Sequence, residues 1–600
     1  MAPYDPEGSV ARPLLALTSS TSPSPGSAYS RRRRRQRIAA IAGGMSLLLV
    51  ASYAYMGPAA GLPVPESLVP YTYRPSPPFA GNPPPPSIDD HDVHADHPQP
   101  GLPPAAEHAP PLDGPDSGGG SDDADGGLVH ADDSAAALLA VQPASLRAAR
   151  ARYALKTGRT PPRGFDAFFD FARERQCLVD GYDGVHADFA PFWRAEMKVA
   201  ASERGGSRGW FRERVEKMAE KLKVDTRGIT TLKVSGGSVR LPDTGRGYFD
   251  EAWERTISKF VRALPAMTVL INARDEPRVV FDVAPLFNDD PELPPVVAFL
   301  ADPNPFGLSP PSTAEFFNTR AGCELPPGVG VAHDVPFILS ASSAEFTTDF
   351  VPVLSMTKLA DGASGIAAGG APGGGHTCFA DILIPGEFYY RDSWWAGKFE
   401  YPNDIRWADK KDVLYWRGKS NGGHIRGDNF RSFPRFRLMD LAARPEHRAK
   451  SLFDVRITEW HEWHCTDNCD AEAIKKEYNI TEKKEPSEDA YKYKYLLDVD
   501  GNSFSGRYLG LLRSGGLVFK STAFAEFFTP WLVPYEHFIP VRPDLSDLPA
   551  KIEWARANDA EAHRIQESGR VFAERILSDA QNDCYWFAVM LEWGALWGEE

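Results

Sequence analysis

Six cysteines in 600 residues are too few for a disulfide-built scaffold. The chain also lacks a second closely spaced cysteine pair to complement Cys465 and Cys469 in HEWHCTDNCD, so a structural zinc knuckle is disfavoured and a disulfide preferred there. A basic excess is missing too. The formal net charge of -15 argues against a general nucleic-acid binder, which would present a basic face. No complete GxGxxG or Walker pattern occurs, so no standard dinucleotide or P-loop signature assigns a function.

What is present is uneven along the chain. Residues 1–37 form a short Ser/Pro-rich tail ending in an arginine cluster, Arg31–Arg35 with Arg37. The uncharged run at 38–56 is near the minimum length for a bilayer span, and the preceding arginines set the N-terminus inside. A cleaved signal peptide and a buried core helix are its rivals. Residues 57–137 read as a disordered Pro/Gly/Asp-rich stalk, whose His91, His94 and His97 are more simply solvated than metal-bound. This is the layout of a single-pass, type II membrane protein of the Golgi or endoplasmic reticulum. All six cysteines follow residue 150, and the sequon Asn479-Ile480-Thr481 agrees with a lumenal domain.

The remainder divides into halves at 138–380 and 381–600. Phe165, Phe168, Phe169 and Phe171 have the spacing of a core-facing helix. Met267–Asn272 reads as a buried strand ending in Ala273-Arg274-Asp275-Glu276-Pro277. Asp275 then stands where an α/β enzyme holds a base, or where a plain turn needs an Asp before proline. Residues 282–375, rich in Gly and Pro, read as long loops or an interdomain connection. In the second half Val413–Trp416 reads as a strand leading into the polar loop 417–423, and Arg431–Leu441 as a helix. Tyr495–Val499, Leu517–Phe519 and Phe538–Val541 read as strands, with helices opening at Gly506-Arg507 under a Ser505 cap and around Phe524–Phe528. Strands alternating with helices predict an α/β doubly wound sheet, with ligands at the strands' carboxyl ends. Two such edges carry arginines, Arg417 and Arg507, and their glycines and helix N–H groups suit a diphosphate.

Several segments, in order, resemble glycosyltransferase family 90: GRTPPRGFDAFF, DGYDGVHADFAPFW, INARDEPR (271–278), DILIPGEFYY (381–390), YWRG (415–418), KYKYLLDVDGNSFSGRYLGLLRSGGLVFK (492–520) and HFIPVRPDLSDL (537–548). That family includes fungal capsule-associated proteins, β-xylosyltransferases and animal protein O-glucosyltransferases. The resemblance implies a GT-B fold of two Rossmann-like halves, inverting transfer from a UDP-sugar to a glycan, glycolipid or glycoprotein, and no prosthetic group. It puts the catalytic base on Asp275 and donor-site arginines on Arg417 and Arg507, and Gly418, Ser420, Asp500, Gly501, Ser503, Ser505 and Glu526 complete the expected donor site. Glu526 reads either as a ribose ligand or as a helix-favouring surface residue. Metal dependence stays open, because Asp498-Val499-Asp500 has the letters of a metal-bridging pair but lies inside a strand. Tyr390, Trp394, Trp395 and Trp416 are either stacking platforms or core. The loops after Arg417 and Gly501 and the segment 282–375 depart from the animal pattern, so the acceptor is not carried over. The stalked layout and tryptophan-rich C-terminal half look closer to the fungal branch, which puts UDP-xylose to a mannose-containing glycan first and UDP-glucose second. A non-catalytic lumenal sugar-binding protein of the same fold is the alternative. A glycoside hydrolase would need two flanking carboxylates and no diphosphate grip.

Overall fold

The computed structural model describes residues 134–202, 209–223, 228–241, 249–279, 281, 283–287, 347, 349–360, 379–393, 405–465 and 468–598. They lie within one unit, Pro104–Glu600. The tail, the apolar run at 38–56, nearly all of the stalk, most of 282–375, Trp394 and Trp395 lie outside the described residues. Among the described residues no helix is long and apolar enough to cross a membrane.

The helix Ser134–Ala140 begins inside the segment expected to be stalk, so ordered structure starts slightly earlier than the composition implied. The helix Phe165–Arg175 forms where the phenylalanine spacing predicted it. Phe165, Phe168, Phe169 and Phe171 are all buried, because a 3.6-residue period puts those rings toward one side of the helix.

Strands β1 (Ile229–Ser235), β2 (Ser238–Arg240), β3 (Met267–Asn272), β4 (Leu354–Ser355) and β6 (Ile382–Leu383) make a mixed sheet in the order β2-β1-β3-β4-β6. Its β1–β2 and β1–β3 pairs are antiparallel, and its β3–β4 and β4–β6 pairs parallel. β5 (Lys358–Leu359) pairs antiparallel with β11 (Phe524–Ala525). The second sheet is parallel throughout, in the order β12-β10-β9-β7-β8, from β7 (Lys411–Lys419), β8 (Phe453–Glu459), β9 (Tyr493–Val499), β10 (Leu517–Ser521) and β12 (Ile539–Val541). Every residue of β9 is buried, as expected of a central parallel strand covered on both faces. The fold is thus mixed α/β with parallel pairing in both sheets.

Sequence order and spatial order part company at two places. β6 lies beyond residue 380, yet hydrogen-bonds into the first sheet. The final helix, Asp579–Trp597, is buried at fifteen of its nineteen positions and so must be packed all round. It returns to the N-terminal elements through the Cys177–Cys584 disulfide and a 3.0 Å bond from Trp593 Nε1 to the Thr268 carbonyl. Its Glu592 carboxylate accepts hydrogen bonds from the Tyr153 hydroxyl at 2.6 Å, Arg159 Nη2 at 2.7 Å and Trp193 Nε1 at 3.2 Å. The helix expected around Phe524–Phe528 does not form. Ala523 and Phe524 point their N–H groups at the Asp500 carboxylate and the Thr522 hydroxyl, and the segment becomes β11 followed by a turn.

Candidate functional site: a cleft at the strand ends

A cleft of about 1350 Å³ is lined from both sheets. Open α/β sheets bind ligands at the carboxyl ends of their strands, and this volume exceeds that of most single small-molecule pockets, leaving room for a second reactant.

From the first sheet comes Asp275, on the turn after β3. The side chain of Asn272, the last residue of β3, holds the turn. Its Oδ1 accepts from the Arg274 N–H at 3.1 Å, and its Nδ2 donates to the Glu276 carbonyl at 2.7 Å. Behind it, Asp381 accepts the N–H groups of Arg278 and Val279 at 2.9 Å each, and the Ser355 hydroxyl. Burial still pushes Asp381 up to about 6. Next to Asp275, Glu276 is almost fully buried. Burial, and then the charge of Asp275, drive its carboxyl well above the ordinary range.

On the opposite wall, Arg417, Gly418, Gly501, Ser505 and Arg507 all line the cleft. The other expected donor residues do not. Ser420 is buried and its hydroxyl accepts the His461 N–H at 2.9 Å. Asp500, 2% exposed, accepts the Ala523 N–H at 2.8 Å, and burial pushes its carboxyl up to about 7. Ser503 is fully buried. Glu526 is not a surface residue. It is fully buried, takes the Tyr389 hydroxyl, and lies 3.5 Å from Lys520, which also pairs with Asp498 at 2.9 Å. Asp498 and Asp500 therefore belong to a charged layer beneath the cleft, not to its wall. Among the described residues no group of three or more His, Cys, Asp or Glu side chains is arranged to hold a metal. The HEWHC segment instead closes a local Cys465–Cys469 disulfide.

Arg417 lies in the cleft wall but is already engaged. β7 runs on through Lys419, so Arg417 sits within the strand and not at its end. Its guanidinium reaches Glu485 at 2.6 Å, Asp454 at 2.7 Å and two backbone carbonyls. Ser505 does not cap the following helix, which begins at Tyr508 after an Arg507 cap, and its buried hydroxyl has no hydrogen-bond partner among the described residues.

Arg507 differs from Arg417. Its Nη1 donates to the Arg417 carbonyl at 2.6 Å, while its buried Nη2 has no hydrogen-bond partner among the described residues. A residue that the sequence did not single out stands beside it. Arg435, in the first turn of the helix Pro434–Ala443, is 8% exposed and lines the same cleft. It donates to the carbonyls of Asp500 at 3.1 Å and Lys419 at 2.9 Å. Neither arginine pairs with a carboxylate among the described residues. Each guanidinium carbon lies 5.6 Å from the centre of the Trp416 ring. Burial, and then the charge of Arg507, pull Arg435 down to about 9. Two mutually repelling cations facing one cleft are suited to an anion. The sequence signal for Arg435 was the FRSFPRFR run with a proline at the helix start, but expecting that helix from Arg431 hid its register.

Residues 398–598 match the family model described as "Glycosyl transferase family 90". The chain is 38% identical over 103 residues to "Protein O-glucosyltransferase 3" of Rattus norvegicus, covering 17% of this chain and 20% of that protein. It is 32% identical over 183 residues to "Protein O-glucosyltransferase 2" of Danio rerio, covering 30% and 34%. To "Protein O-glucosyltransferase 1" of Homo sapiens it is 30% identical over 179 residues, covering 30% and 43%. The chain thus spans between a fifth and under half of the length of these relatives. The segment that matches the glycosyl transferase family 90 model holds both arginines, the parallel sheet and the glycine turns of the cleft.

Proposed function

We propose that this chain is a glycosyltransferase of GT-B plan that moves glucose or xylose, with inversion, from a UDP-sugar to a hydroxyl group. The observation that carries the reading is that Asp275 and Arg507, whose buried Nη2 has no hydrogen-bond partner among the described residues, line one cleft from the two sheets. In the reaction, Asp275 takes the proton of the acceptor hydroxyl as its oxygen bonds to the anomeric carbon. The bond from that carbon to the β-phosphate oxygen breaks, and the electron pair leaves with the diphosphate. Buried cations and the backbone N–H groups of 503–506 stabilise the charge that develops there. The names of the relatives favour a protein hydroxyl as acceptor. The Cys177–Cys584 and Cys465–Cys469 disulfides support a lumenal domain of the secretory pathway, held by an anchor at 38–56.

The test is titration of the protein with a panel of nucleotide-sugars, followed by slow donor hydrolysis and transfer, with and without EDTA. Asp275→Asn is expected to bind the same UDP-sugar while turnover falls by about two to four orders of magnitude, the usual contribution of a positioned base. Undiminished turnover in Asp275→Asn, or a folded wild-type protein that binds no nucleotide-sugar, refutes the proposal.

A further inference from the structure

Resting on the reading of the domain as lumenal, we infer that Asn479 is a modification site: it accepts an N-linked oligosaccharide beside the rim of the cleft. Asn479-Ile480-Thr481 is the chain's one Asn-X-Ser/Thr triplet with X other than proline. Three letters recur by chance, so the case rests on how the fold presents them.

The helix Ala471–Glu477 ends in a Schellman turn. The Ile480 N–H donates to the Lys475 carbonyl at 2.9 Å, and the Asn479 N–H to the Lys476 carbonyl at 3.4 Å, the two bonds that define such a turn. Asn479 takes the left-handed conformation, at φ 50°, that suits glycine and asparagine. Ile480 then turns inward and joins Ile474 in the core, while Asn479 and Thr481 on either side of it are exposed. The turn is held from behind, because the Tyr478 ring meets Phe430 and Phe436 edge-on.

The turn accounts for the asparagine but not for the threonine. Thr481 lies past the turn, and neither its hydroxyl nor the Asn479 side-chain amide makes a hydrogen bond to the described residues. The two groups that N-glycosylation needs, an amide nitrogen and a hydroxyl two residues on, are both at the surface and uncommitted. From here the chain runs beside β8, the last strand of its sheet. Lys484 lies 3.6 Å from Glu459, and Glu485 3.3 Å from Arg456. Lys484, Glu485, Pro486 and Ser487 then line the cleft. Five residues separate Asn479 from Lys484, at most about 18 Å of chain. A bulky, hydrated glycan at this place shields the flank of an edge strand, the part of a sheet that invites pairing with another chain.

In the modification, the Asn479 amide nitrogen bonds to the anomeric carbon of a lipid-diphosphate-linked oligosaccharide. The bond from that carbon to the diphosphate oxygen breaks, and its electron pair leaves with the lipid diphosphate. The amide gives up one proton to a base of the glycosylating enzyme.

The experiment expresses the full chain in a eukaryotic secretory cell and compares its mass before and after peptide-N-glycosidase, with mass spectrometry of the peptide spanning 479–481. Wild type is expected to lose mass and to carry aspartate at 479 after digestion. Thr481→Ala and Asn479→Gly are expected to abolish the shift, and Thr481→Ser to keep it. Asn479→Gly preserves the left-handed turn, so its loss of sugar is not a loss of fold. Gly236→Asn reports the compartment independently. It puts an acceptor ahead of Gly237 and Ser238 in the exposed turn between β1 and β2, where φ 58° suits asparagine and no atom lies within 4 Å of a Cβ. An unmodified Asn479 in a chain that takes a glycan at 236 in Gly236→Asn overturns the inference and leaves the lumenal reading standing. No glycan at either position overturns both. A shift that survives Thr481→Ala puts the sugar elsewhere and also overturns the inference.

Discussion

Replacing Arg417 by methionine separates the duty that the sequence suggests from the one that the structure gives it. Its side chain is 12% exposed and holds Asp454 and Glu485, which are 31% and 23% exposed. Burial pushes the Asp454 carboxyl up, but the Tyr493 hydroxyl and Arg417 outweigh it and leave Asp454 below the usual carboxylate range. Two charge-assisted hydrogen bonds contribute about 1.5–3 kcal/mol each when fully buried. Both acids keep some access to water, which rehydrates them once the cation is gone, so the net loss expected is about 2–3 kcal/mol. Urea unfolding followed by tryptophan fluorescence reads this as a lower midpoint at unchanged slope. Asp454→Asn or Glu485→Gln is expected to cost less in the Arg417→Met background than alone, because each then removes a stranded charge. UDP affinity measured on the same protein stays near wild type. An unchanged midpoint together with a tenfold loss of UDP affinity would refute the reasoning and return Arg417 to the donor site.

Two further outcomes follow from the same geometry. Burial acts to raise the Glu592 carboxyl from its ordinary 4.5, yet His186, Arg159 and Tyr153 bring it down to about 2. Its folded value therefore lies below its unfolded one, so its stabilisation is complete above about pH 4.5 and is lost as pH falls toward 2. Glu592→Gln is expected to cost about 2–4 kcal/mol at neutral pH and to flatten the acid limb of the unfolding curve. An unaltered acid limb sinks that account. Gly501→Ala keeps an allowed backbone but forces its methyl against Arg435 Nη2, so it is expected to weaken UDP binding while the protein still melts near the wild-type temperature. Wild-type affinity in this variant means that the loop yields and the close approach is idle.

The elements were legible where local pattern decides them. The phenylalanine helix Phe165–Arg175, the strands β3, β9, β10 and β12, and the turn bearing Asp275 follow from apolar period, run length and turn residues, which act over a few positions. The family-like motifs likewise placed Asp275, Gly418, Gly501, Ser505 and Arg507 on residues that the fold gathers into one cleft. Tertiary partners decided the rest. Arg417 and Arg507 look alike in sequence, each an arginine beside a glycine near a strand end. One meets Asp454 and Glu485 from β8 and a distant loop, and the other has no ion pair with an acid among the described residues. Ser420, Asp500 and Glu526 read as cleft residues until packing turned them inward, toward His461, toward Ala523, and toward Lys520 and Tyr389 respectively, and Ser503 is fully buried with them. Arg435 was hidden for the converse reason. Nothing within its own helix makes it a ligand, because its environment is set by Lys419 of β7 and Asp500 of the loop after β9, whose carbonyls it meets with no ion pair among the described residues. Sequence sets which side chains carry charge and which segments bend. Whether a given charge is spent on the protein or left for a ligand depends on what the fold puts beside it.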